Sequence, residues 1–110
     1  MTVNITTHPE FVHQMKRYAK KYRSLANDYA FFLDSIRKDP FQGVDLGGGI
    51  RKVRLAVASK GKGKSGGMRV ITFSLEKIAD EIINVTLLYI YDKKEMENVS
   101  DDFIRYLLER

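Results

Sequence analysis

The residues best suited to chemistry crowd into one stretch of this chain. Between Asp45 and Glu76 there is no acidic residue, while Arg51, Lys52, Arg54, Lys60, Lys62, Lys64 and Arg69 all fall there. The stretch carries +7 and leaves the rest of the 110 residues at −2, for a net charge of +5. Cations gathered without carboxylates repel one another, a cost that an anionic ligand removes, so the expected partner is a polyanion. Alternation of Val53, Leu55 and Val57 with Lys52 and Arg54 sets the two cations on one sheet face. A chain reversal through the glycine–lysine segment would return Arg69 beside Arg54. Glycines between the lysines also let backbone N–H groups approach phosphates. The plainer alternative is a solvated linker with a lysine-guarded sheet edge.

Other chemistries fare worse. Ala58-Ser59-Lys60-Gly61-Lys62-Gly63-Lys64-Ser65 fits a relaxed phosphate-loop pattern, but that loop needs a helix behind it. Here Gly66-Gly67 and the β-branched run Arg69-Val70-Ile71-Thr72-Phe73 follow, which reads as a strand. His8 and His13, the only histidines, stand five apart and so about 140° apart around a helix, a poor metal pair. The basic segment has no carboxylate cluster to hold a nuclease's cation, so neither a metal nor any other cofactor is expected. The lack of cysteine excludes a disulfide scaffold and a thiolate nucleophile.

These cations must be positioned by neighbouring elements. Val3–Thr6 reads as a short edge strand. His8-Pro9 opens a helix on which Phe11, Val12, Met15, Tyr18, Ala19 and Tyr22 recur at helical spacing. Ser24 can cap a second helix with the stripe Leu25, Tyr29, Phe32, Leu33 and Ile36, ended by Asp39-Pro40. Gly43 and Gly47-Gly48-Gly49 then mark a flexible connection. The period switches from 3.6 to 2 for strands around Lys52–Val57, Met68–Leu75 and Ile82–Tyr91. Ser100 caps a last helix bearing Phe103, Ile104, Leu107 and Leu108. The expected fold is α+β, a single domain over residues 1–110. Two N-terminal helices pack on one face of a mainly antiparallel sheet of three to four strands, and a short C-terminal helix follows. No run reaches the roughly 20 apolar residues of a membrane span, so no membrane partner is expected. Met1-Thr2-Val3-Asn4 lacks a signal-peptide pattern, and the expected compartment is the cytoplasm.

The segment from Arg51 to Ile71, with its basic strand, Lys-Gly loop and Gly66-Gly67-Met68-Arg69 followed by an apolar strand, resembles the RelE/ParE toxin superfamily, in particular its HigB-like branch. Tyr91-Asp92-Lys93-Lys94-Glu95 resembles the closing motif of that family. The resemblance implies a RelE-like microbial ribonuclease fold. It also implies the toxin of a type II toxin–antitoxin pair, an endoribonuclease that cleaves messenger RNA on the ribosome. A cognate antitoxin, often one that binds DNA, comes with it. Carried over by position, Lys52 and Arg54 match the basic pair on the first central strand, and Arg69 matches the arginine that opens the next. Lys94 falls where many members have arginine, keeping the charge but losing the bidentate fork. Arg51, Lys60, Lys62, Lys64 and Lys93 are then expected to bind RNA. A family tyrosine near the C-terminal helix has Tyr91 and Tyr106 as candidates.

For such an enzyme the RNA supplies its own nucleophile, the 2′-OH beside the scissile phosphate. The protein must position it in line, remove its proton, stabilise the phosphorane-like transition state and protonate the leaving 5′-oxygen. Arginine does not deprotonate, which leaves lysine as the titrating type within the basic segment. The expected roles are Lys52 or a loop lysine as base, Arg54 and Arg69 as phosphate clamps, and Lys94 as acid. Contact with about five to seven phosphates would give a log–log salt slope of roughly −3.5 to −5. Two rivals remain at this level: a ParE-like toxin that poisons gyrase, and a non-enzymatic RNA- or ribosome-binding module.

Overall fold

The computed structural model describes residues 1–60 and 67–110. Strand β1 (Thr2–Thr7) leads through helix α1 (Pro9–Lys21) and a short turn into helix α2 (Leu25–Lys38). Strands β2 (Val44–Gly47), β3 (Ile50–Leu55), β4 (Met68–Lys77) and β5 (Ile82–Asp92) follow, then helix α3 (Asp101–Leu108). Side-chain acceptors satisfy the free N–H groups at two helix starts: His8 Nδ1 accepts from Glu10 N at 3.0 Å and Ser100 Oγ from Phe103 N at 3.1 Å. Ser24 makes no such cap bond. Its hydroxyl donates to Asp28 Oδ2 at 2.6 Å and accepts from Ser59 N at 2.9 Å, which ties the start of α2 to the 3₁₀ turn Ala58–Lys60 after β3.

The sheet runs β1-β5-β4-β3-β2, with β1 parallel to β5 and every other pair antiparallel. It has five strands, not three to four. The extra one is β2, in the glycine-flanked stretch expected to be a flexible connection. Gly47, Gly48 and Gly49, at φ of 92°, 61° and 85°, close a tight turn that folds β2 back on β3.

The two N-terminal helices share one face of the sheet, as expected, and α3 takes the opposite one. Phe11 and Tyr18 of α1 and Leu25, Phe32 and Ile36 of α2 bury against Val53, Leu55, Met68, Val70, Ile83, Val85, Leu87 and Ile90. On the opposite face Ile104 and Leu107 of α3 pack on Ile50, Ile71, Leu88 and Tyr91. Covering both faces explains why Met68–Ile71 is buried without alternation.

One irregularity in β5 positions everything beyond it. Ile71 pairs with Tyr89 but Thr72 pairs with Leu87, so Leu88 is an extra, bulged residue. Before the bulge Ile83, Val85 and Leu87 face the α1–α2 hairpin; after it Ile90 does, and Tyr91 turns to the α3 face. Asp92 is thereby delivered beneath α1, where Tyr18 and Tyr22 meet it.

Candidate anion-binding site

The alternation that buries Val53 and Leu55 under the hairpin turns Lys52 and Arg54 to the α3 face. Arg69 reaches the same face from β4, because Arg54 and Arg69 are directly paired across the two strands. Tyr91 is the next partner of Arg69 on β5. Lys52, Arg54 and Arg69, with Lys93, Glu97 and Asn98 of the turn after β5 and Val44 of β2, line a cavity of about 260 Å³.

Arg69 is the unusual member. It is 5% exposed, its Nη1 donates to the Met68 carbonyl at 3.2 Å, and no carboxylate among the described residues forms an ion pair with it. A buried cation without a counter-charge is costly, and here a second arginine stands across the ladder. Burial pushes the Tyr91 phenol up, against the pull of the Arg69 charge, and its hydroxyl finds no hydrogen-bond partner among the described residues. Lys52 Nζ donates to Asn98 Oδ1 at 3.2 Å, which pins the turn to β3. The arrangement suits an oxyanion with several oxygens to share among separate cations.

Other sequence candidates are placed elsewhere. Arg51 points to the hairpin side of β3, its guanidinium 4.9 Å from the centre of the Phe41 ring. Lys60, expected to offer its charge to RNA, is instead internal: its side chain is 3% exposed and its Nζ lies 2.8 Å from Asp92 Oδ1. The carboxylate that neutralises it comes from outside the basic stretch, where the sequence reading did not look. Burial alone would raise the Asp92 carboxyl. Hydrogen bonds from Lys60, Tyr22 and the Lys94 N–H, together with the Lys60 charge, overturn that and hold it at about 2. Lys94 lends Asp92 its backbone N–H at 2.9 Å, but its exposed side chain does not line the cavity; Lys93, its neighbour, does. Lys62 and Lys64 lie outside the described residues. Tyr106 is 45% exposed on α3 beside Phe103 and Arg110, not at the cavity. The phosphate-loop alternative loses its structural context, since the next described element after the 3₁₀ turn is β4 and not a helix.

Sequence reasoning missed Asp92, Glu97 and Asn98. Asp92 was visible only as part of a motif, with no hint that the β5 bulge carries it inside. Glu97 and Asn98 sit on a turn, where no periodicity reports which way a side chain points. Among the described residues no group of three His, Asp or Glu comes together that could hold a metal ion. No described helix is long and apolar enough to cross a membrane.

Fold and site together define a small α+β protein with a cation-rich cavity on one face of its sheet. A family model described as the RelE toxin of the RelE/RelB toxin–antitoxin system matches residues 10–109, and the chain belongs to that family. It is thus the toxin partner of a toxin–antitoxin system, and membership implies a cognate RelB-like antitoxin.

Proposed function

We propose that this toxin, a single domain over residues 1–110, is a metal-independent endoribonuclease of the HigB-like branch. On this reading it cuts messenger RNA on the ribosome, in the cytoplasm, by attack of a 2′-OH on the adjacent phosphate. The observation that carries the reading is Arg69, buried beside Arg54 with no carboxylate partner among the described residues. A scissile phosphate supplies the missing negative charge, and its gain in charge during reaction strengthens the contact in the transition state. Arg54 and Arg69 act as clamps, and Lys52 and Lys93 complete the charge around the phosphate. The Arg51–Ile71 pattern supports the branch.

The test is cleavage of a short message on programmed ribosomes, with 5′ ends mapped. A 2′-deoxy substitution at the cut nucleotide should abolish cleavage, and continued cutting excludes the mechanism. Arg69→Ala should lower kcat about 10²- to 10³-fold while affinity changes much less. A loss confined to affinity would instead make the protein a binding module.

A further inference from the structure

The cavity gathers four cations, Lys52, Arg54, Arg69 and Lys93, yet its wall also contains one carboxylate, that of Glu97. Glu97 forms an ion pair with none of the four, nor with any other described cation. A carboxylate present only to balance charge would close onto one of its neighbours. This one lines the cavity unpaired, on the turn after β5, and that turn is joined to β3 through the Lys52–Asn98 hydrogen bond one residue on. A site built of arginine and lysine ammonium has no lone pair with which to accept a proton, whereas a carboxylate has.

We propose that Glu97 is the general base of the site, an assignment that rests on the ribonuclease reading and replaces the lysine expected in that role. Its carboxylate takes the 2′-OH proton as the 2′-oxygen bonds to phosphorus. The bond from phosphorus to the 5′-oxygen breaks, and the leaving oxygen receives a proton from the Lys93 ammonium. The products are a 2′,3′-cyclic phosphate and a free 5′-OH; Glu97 then gives its proton up to water and Lys93 takes one back, which restores both side chains.

The experiment compares the parent toxin with Glu97→Gln on ribosomes programmed with a short synthetic message. Glu97 is exposed on its turn, so the near-isosteric change leaves the fold intact. Cleavage by the variant should slow about 10²- to 10³-fold. Its affinity for ribosomes carrying the 2′-deoxy message should stay within threefold or tighten, because a negative charge has gone. A message with sulfur in place of the leaving 5′-oxygen needs no acid, so the deficit of the variant should persist on it. Cleavage within threefold of the parent overturns the assignment, as does a deficit that is all affinity. Disappearance of the deficit on the sulfur message makes Glu97 the acid and equally overturns it. A parent that cuts no message overturns the ribonuclease reading and this one together, which separates the two failures.

Discussion

Lys60 and Asp92 show how one residue's surroundings decide its use. In sequence Lys60 is one of seven unopposed cations; in the fold it makes a sealed ion pair that joins the 3₁₀ turn after β3 to the end of β5. The Asp92 carboxyl drops from an ordinary 3.8 to about 2, so the folded state binds its proton less readily than the unfolded chain. That contribution is complete above about pH 4 and disappears as pH falls through about 2. It is worth about 2 kcal/mol. Urea unfolding of the parent should weaken across this window, and Asp92→Asn should show a flatter response there. Asp92→Ala leaves a buried ammonium alone and should cost about 3–5 kcal/mol, whereas the double change Lys60→Met/Asp92→Leu should cost less than that single one.

At the scale of elements, the site depends on how closely β3 and β4 approach. A Cβ on Gly67 would lie 2.4 Å from the Leu55 carbonyl oxygen, immediately beside the paired Arg54 and Arg69. Gly67→Ala must therefore part the strands at that end. We expect a loss of about 1–3 kcal/mol in denaturant unfolding and weaker binding of RNA in the same variant. Gly48 is the control: its φ of 61° is left-handed but the space around it is open. Gly48→Asn, a residue that tolerates this conformation, should leave stability within about 0.5 kcal/mol. Much of this element level was legible. The stripes of α1 and α2, the Ser100 cap and the shared face of Lys52 and Arg54 all follow from period and capping. The strand β2 was not, because its four residues are all exposed and lie among glycines, so neither burial pattern nor composition distinguishes them from a loop. The β5 bulge was hidden too: in an apolar run such as Thr86–Tyr91 a skipped register leaves no mark, since both faces are covered.

For the whole molecule, what matters is how many cations remain available to a polyanion. Among the described residues Lys60 is internal and Arg51 faces away, which leaves Lys52, Arg54, Arg69 and Lys93 at the cavity. Phosphate contacts from these four correspond to a log–log salt slope of about −3 for single-stranded RNA. Filter binding between low and moderate salt checks it; a flat response would mean that the cavity serves some other ligand. The order of the strands has a consequence for biosynthesis. Strand β1 can pair only with β5, the last strand of the sheet in chain order, which lies between β1 and β4. A half-synthesised chain therefore has no neighbour on which to seat its opening segment, and the late strand must insert between the two already waiting. Assembly is held back until β5 has been made, so a cell making this poison is spared any working form before that strand emerges.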